Sequence, residues 1–395
     1  MADAHILHQI PFRQGLTAQL TALQRMIGHV ADQLAQMTGI TPVRHPVFLG
    51  MGASFAAAAL PVRLLRQRGV YAERLLASDI TSDLALPPAD LVWAISQSGR
   101  STETIQAMPL IEPALRACLV NITDSDLASC CDRRVSLGDE PDSYASTVAF
   151  TGTVAALDLI AGAMLGQDWS GQWIGVGDRL SEFRDRAQPL IERIAEDHTD
   201  VSCVDIVADG TQTATAEEGA LLFREVCRLP ATATTTRNYL HGEMESAGTA
   251  LHIVLGSGRE IELATMLAGA GHPCLLLTHV VVPPQPHLTV IRLDDSIHLG
   301  EQVVASTMVM QSLAGAFAAV WGIDVEEFVF SNRDTKTSLT AEEQVESAQR
   351  SSARTDSATE PAGGSSTHLG SAEADSTNSD HSAKPGRVTG GGNRD

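Results

Sequence analysis

The chain has 395 residues, 44% of them hydrophobic, and a formal charge of −21. That length supports two domains with sizeable cores, and the acidity excludes nucleic acid as a partner, because phosphate backbones are met by basic faces. The start of the chain lacks a basic-then-apolar signal pattern and no apolar run reads as a membrane span, so a cytoplasmic location without a membrane partner is expected.

In chain order, residues 1–37 form an N-terminal helical segment, with Leu16, Leu20, Leu23, Met26 and Ile27 at helical spacing. A first domain is expected over 38–166. Val47–Gly50 reads as a strand ending in Gly50-Met51-Gly52-Ala53-Ser54, followed by an alanine-rich helix from Phe55 to Arg68. Tyr71–Ser78 reads as strand. Leu91–Ile95 is a short buried strand that breaks into Ser96-Gln97-Ser98-Gly99-Arg100-Ser101 before a helix from Thr102 to Ile111. Ala117–Asn121 and Arg134–Leu137 are two further strands, and Ser146–Leu165 is a long apolar helix.

Residues 167–198 read as a helical connector, and a second domain over 199–340 restarts the alternation. Its strands are Cys203–Val207, Leu251–Leu255, Cys274–Thr278 and Leu288–Leu293, and its helices Thr213–Cys227, Glu260–Ala270 and Gln302–Gly322. The pattern predicts an α/β fold of two tandem, doubly wound parallel sheets of the flavodoxin-like kind. From about Ala341 to the end, Ser, Thr, Gly, Asp and Glu dominate, and a disordered tail is expected.

The Ser96–Ser101 turn joins a strand to a helix, where free N–H groups and hydroxyls suit an anion such as a phosphate. Hydroxyl-rich turns also cap helices in every fold. Two more loops, Gly50–Ser54 and Ser143-Tyr144-Ala145-Ser146-Thr147, are expected at the same carboxyl edge, which is more than capping needs. No G-x-G-x-x-G spacing or P-loop lysine is present, so neither a nicotinamide nor an ATP cofactor is expected. The six cysteines lack zinc-ligand spacing and read as reduced thiols, with no metal site.

Strand-SQSG-x-hydroxyl-x-x-T-helix, preceded by a GxGxS loop and followed by AST-x-AF, resembles the sugar isomerase (SIS) family. The likeness runs from about His8 to about Thr340. Its double-domain layout is similar to the isomerase half of the glutamine–fructose-6-phosphate aminotransferases and to stand-alone phosphosugar isomerases, deaminases and deglycases. The resemblance implies sugar-phosphate contacts at Gly52, Ser54, Ser96, Gln97, Ser98, Ser101 and Ser146. Glu218 and Glu225, in a stretch resembling the family's EGALxxxE helix, are seven residues apart and share a helix face. The resemblance makes Glu225 the base that moves a proton between C1 and C2, a task a pocket carboxylate suits. His241, in an HGE turn, would open the sugar ring, often in a partner subunit's site. Lys336, in Asp334-Thr335-Lys336-Thr337-Ser338, would form an imine with the open-chain sugar. Lys336 and Lys384 are the only lysines, and an arginine could not form an imine.

The chain departs from the aminotransferase pattern in three ways. Arg100 stands where an acid is usual and is expected to face solvent; Leu222 replaces a substrate-contacting lysine; and position 2 is Ala2, so ammonia from glutamine is not expected from this chain. The expected function is a phosphosugar isomerase and/or amino-sugar-phosphate deaminase acting, as a homodimer, on a hexose or hexosamine 6-phosphate. A transaminase-type isomerase fed by a separate glutaminase subunit is the enzymatic rival, and a non-catalytic phosphosugar sensor the rival of another class.

Overall fold

Residues 9–84, 86–330 and 334–337 are described by a computed structural model; the tail from Ala341 lies outside them. The chain opens with α1 (Phe12–Gln36), β1 (Pro46–Gly50), two short helices, α2 (Gly52–Ala57) and α3 (Ala59–Gln67), and β2 (Glu73–Leu76). Then β3 (Leu91–Ser96), α4 (Thr102–Ala107), β4 (Arg116–Val120), α5 (Asp126–Ser129) and β5 (Arg133–Ser136) complete the first sheet region. Two long helices follow, α6 (Val148–Met164) and α7 (Val176–Asp197). The second half runs β6 (Cys203–Ala208), α8 (Thr213–Val226), β7 (Ala231–Thr235), α9 (Thr236–Leu240) and β8 (Ala250–Leu255). It ends with α10 (Arg259–Gly269), β9 (Cys274–Thr278), β10 (Leu288–Arg292) and α11 (Leu299–Trp321).

Each half builds a five-stranded sheet, β2-β1-β3-β4-β5 and β7-β6-β8-β9-β10, with every pairing parallel. The two orders are the same, so the fold is a tandem of doubly wound layers, as the alternation predicts. Continuous apolar runs make strands that are covered on both faces: β1, β3, β8 and β9 are buried along their whole length.

Side chains alternate between two cores. In β3, Leu91, Trp93 and Ile95 enter one cluster while Val92 and Ala94 enter another; in β8, Leu251, Ile253 and Leu255 join the first and Val254 a third. The inner faces of both sheets therefore meet in one apolar cluster, together with α1, α6, α8 and α11. All described residues fall within a single compact unit, Met1–Ser338.

Four local readings change. The helix expected over Phe55–Arg68 breaks at Ala58, because Pro61 has no N–H to give the Ala57 carbonyl. The helix expected to reach Ile111 stops at Ala107, ahead of Pro109, and continues as a single 3₁₀ turn. β7 and α9 fall where no element was read; β7 is a half-exposed edge strand of alanines and threonines without a large apolar residue. Finally, α11 is long and apolar enough to cross a membrane, against the expectation that no run is, but most of it is buried inside the protein against α6, α7 and α8.

Candidate functional site

In each sheet the strand order reverses between two central neighbours, and in open parallel sheets ligands bind beyond the carboxyl ends of that pair. In the first sheet these are β1 and β3, so the Gly50–Ser54 loop and the Ser96–Ser101 turn lie at one switch point. The turn is held from outside: the Gln97 carbonyl accepts from the Asn121 and Ile122 N–H groups, and the Gly99 carbonyl from the Leu127 N–H at 3.0 Å. Gly99 adopts φ +62°, and a Cβ there would stand 2.1 Å from the Ser125 hydroxyl, so only glycine fits. Ser96 is buried and donates to the Ser101 hydroxyl at 3.3 Å, and Ser98 is buried and accepts from the Arg100 N–H. Around this turn the buried hydroxyls of Thr102, Thr104 and Ser125 have no hydrogen-bond partner among the described residues. Buried polar groups are nearly always paired, so an unpaired trio beside this hydroxyl-rich turn makes the turn a candidate ligand site. The hydroxyl of half-buried Ser54 and the amide of Gln97 are likewise without partners among the described residues, while Gly52 is exposed on α2.

Lys336 comes to this turn from the far end of the chain. Lys336 and Ser101 form an isolated antiparallel bridge, the Thr102 N–H donates to the Thr335 carbonyl at 3.2 Å, and the Thr337 N–H to the Arg100 carbonyl at 2.9 Å. Arg100, expected to face solvent, is instead half-buried and donates from Nη2 to the Thr337 carbonyl at 3.0 Å. A guanidinium finds several acceptors where a carbonyl-rich strand passes it, which the sequence around position 100 does not reveal.

The carboxylates come from α8 and from the start of α6. Glu225 is half-buried, and burial pushes its carboxyl up to about 7. Glu218 is fully buried, with Oε2 unpartnered among the described residues; burial first, then Glu225 and Asp142, hold its carboxyl well above the usual range. Asp142 accepts from the Thr147 and Val148 N–H groups at 3.0 and 2.8 Å and caps α6. Ser146 donates to Asp142 at 2.7 Å and accepts from the Phe150 N–H, so its hydroxyl is already engaged in that cap. Tyr144 lies beside Lys336: its ring centroid is 5.8 Å from Lys336 Nζ and 3.9 Å from the Phe328 ring, and burial and the Glu225 charge raise its phenol. A bidentate pair from Arg74 on β2 to Glu217 on α8, with one bond at 2.6 Å, fixes α8 against the first half.

The structure thus brings Ser96, Ser98, Ser101 and Lys336 together, with Tyr144 beside Lys336 and within reach of the Glu225 charge. His241 is exposed on the turn after α9, and its ring makes no hydrogen bond, ion pair or ring contact among the described residues. Asp142, Tyr144 and Ser125 were not singled out as site residues; the AST motif beside the first two was the available signal, and nothing local marked Ser125. Among the described residues no group of His, Cys, Asp and Glu could hold a metal ion.

The second sheet has an equivalent switch point between β6 and β8, and its turn, Ser257-Gly258-Arg259, repeats the Ser98-Gly99-Arg100 sequence. It is closed by its own side chain. Glu260 Oε2 accepts from the Gly258 N–H at 3.1 Å, Oε1 accepts from Thr236 at 2.6 Å, and Gly256 at φ +151° leaves the room that carboxylate occupies. A surface groove of about 590 Å³ lies between the C-terminal end of α1 and the start of β5, away from the switch points.

No family model matches the chain. A stretch of 209 residues is 26% identical to the glutamine–fructose-6-phosphate aminotransferase (isomerizing) of Sulfolobus acidocaldarius, covering 52% of this chain and 33% of that protein. The chain therefore spans about a third of the length of the curated relatives it matches. Among solved structures, the C-terminal domain of the glucosamine–fructose-6-phosphate aminotransferase of Francisella tularensis superimposes with a TM-score of 0.69 at 18% identity, over 80% of this chain and 98% of that one. The glucosamine-6-phosphate deaminase of Thermotoga maritima gives 0.67 at 16% identity, over 81% and 98%.

Proposed function

The chain has the double sugar isomerase (SIS) fold, and on that basis we propose that it is a phosphosugar enzyme, an aldose–ketose isomerase and/or amino-sugar-phosphate deaminase acting on a hexose or hexosamine 6-phosphate. The observation that carries this reading is the attachment of the Lys336 segment to a turn ringed by unpaired hydroxyls. The phosphate sits on Ser96–Ser101, where Thr102, Thr104 and Ser125 offer neutral donors. The open-chain carbonyl then lies toward Tyr144, Lys336 and Glu225.

Glu225, with its carboxyl near neutrality, takes the proton from one carbon of the C1–C2 pair and returns it to the other. A base works best when its affinity for the proton matches the working pH. Lys336 adds to the carbonyl as the neutral amine and makes the adjacent C–H more acidic through the imine. His241, exposed within one chain, serves ring opening in a homodimer by reaching the site of a second copy.

Purified protein incubated with fructose 6-phosphate, with and without ammonia, and separately with glucosamine 6-phosphate tests the reading. Turnover lost in Glu225→Gln is the expected result. Absence of turnover on both sugars, or full activity in Glu225→Gln, overturns it. Because the curated relatives are aminotransferases, a second reading has the chain as an isomerase subunit supplied by a separate glutaminase; stimulation by ammonia with fructose 6-phosphate favours it. A cytoplasmic setting suits either.

A further inference from the structure

The usefulness of Lys336 depends on what holds residues 334–337, and an isolated bridge is weak by itself, since sheets gain stability from neighbouring strands. Two side chains strengthen it. Arg100 donates to the Thr337 carbonyl at 3.0 Å, and the Thr337 hydroxyl donates to Asp126 Oδ2 at 2.7 Å. Asp126 opens α5, whose next residue, Leu127, donates its N–H to the Gly99 carbonyl. Turn, α5 and the lysine segment thus form one hydrogen-bonded ring.

We propose that Arg100 and Asp126 are positioning residues that clamp residues 335–337 to the Ser96–Ser101 turn and so hold the Lys336 amine at the sugar carbonyl. Arg100 acts through the Thr337 backbone and not on the phosphate. The kinetic consequence rests on the imine role given to Lys336 above, whereas the clamp is a property of the ligand-free protein. In the step that is positioned, the neutral Lys336 amine adds to the carbonyl carbon, a C=N bond replaces C=O, and the oxygen leaves as water with the two amine protons.

The test compares full-length wild type with Arg100→Gln, Arg100→Lys and Asp126→Ala in two measurements. In hydrogen–deuterium exchange without ligand, the Thr337 and Thr102 amides, which donate to the Arg100 and Thr335 carbonyls across the clamp, should exchange about 10-fold faster in Arg100→Gln and in Asp126→Ala, the effect of losing about one hydrogen bond. Unchanged exchange in both variants overturns the clamp.

In the second measurement, saturating fructose 6-phosphate and cyanoborohydride convert any imine at Lys336 to a stable secondary amine, quantified by peptide mass. The trapping rate should fall about 10-fold in Arg100→Gln, with little rescue in Arg100→Lys, because a point charge does not reproduce the planar guanidinium. The concentration of inorganic phosphate that half-inhibits trapping should stay within about 2-fold. If instead that concentration rises 10-fold at an unchanged saturating rate, Arg100 is a phosphate ligand and the proposal fails. If the wild type gives no Lys336 adduct, the imine role fails alone, and the exchange measurement decides the clamp.

Discussion

The Lys336 ammonium lies 5.8 Å from the centroid of the Tyr144 ring, and that same tyrosine feels the charge of Glu225. One aromatic side chain therefore lies beside the only described lysine and within electrostatic reach of the carboxylate assigned as base. A ring face attracts a cation by about 0.5–1 kcal/mol when partly exposed. Tyr144→Leu should lower kcat about 2- to 5-fold by loosening Lys336, whereas Tyr144→Phe, which keeps the ring, should stay close to wild type. Steady-state kinetics on fructose 6-phosphate checks the pair; equal loss in both would move the role from the ring to the hydroxyl.

Glu225→Gln keeps the size of the side chain and removes the base. Proton transfer by a positioned group contributes on the order of 10²–10⁴-fold, so kcat should fall by that factor. Solvent-deuterium incorporation at the sugar C1 or C2 should disappear with it.

The same carboxyl sets two pH dependences. Activity needs it ionised, so kcat/KM should fall below an apparent pKa of about 7 in the wild type. Stability runs the other way. A carboxyl raised from its ordinary range to about 7 favours the fold while neutral, so its contribution is complete below the unfolded value and is lost as pH climbs through 7. Glu225→Gln should therefore match the wild type near pH 4 and exceed it at pH 8 by up to about 3 kcal/mol, read from denaturant melts at the two pH values.

Gly99→Ala should damage both fold and binding. The new methyl meets the Ser125 hydroxyl and Cβ at 2.1 and 2.4 Å, in a backbone region that disfavours side chains. A loss of about 1–3 kcal/mol is expected, with weaker protection by inorganic phosphate in thermal melts. Adding Ser125→Gly should recover the part due to the clash but not the part due to φ.

Glu260→Ala should act on stability alone. Removing its carboxylate leaves the buried Thr236 hydroxyl and the Gly258 N–H without their partner, a loss of about 1–3 kcal/mol. Turnover at 25 °C should be unchanged, since this turn belongs to the second switch point.

Much of this was legible in the chain. Apolar runs such as Leu91–Ile95 and Cys274–Thr278 announce buried parallel strands, because covering both faces leaves no room for polar alternation. β7 was not legible, since a strand of Ala and Thr draws its stability from the neighbouring β6 and little from its own side chains. Proline explains both shortened helices and could have been weighed from Pro61 and Pro109 alone. For the site, motif spacing singles out the turn and Glu225, but the Arg100–Thr337 contact joins residues 237 positions apart, and no local pattern encodes a contact of that range. Leu222, flagged as a departure, is buried in the shared core, as an apolar side chain there would be.

The closure of both sheets over α6 and α11 has a thermodynamic consequence. Neither half owns a complete core, because the apolar faces of its inner strands are covered in part by helices that also serve the other half. Two similar layers with separate cores would be expected to melt in two steps; with this shared core both layers should melt in a single transition, and a substitution at the buried Phe317 or Leu157 should lower the melting of both sheets together.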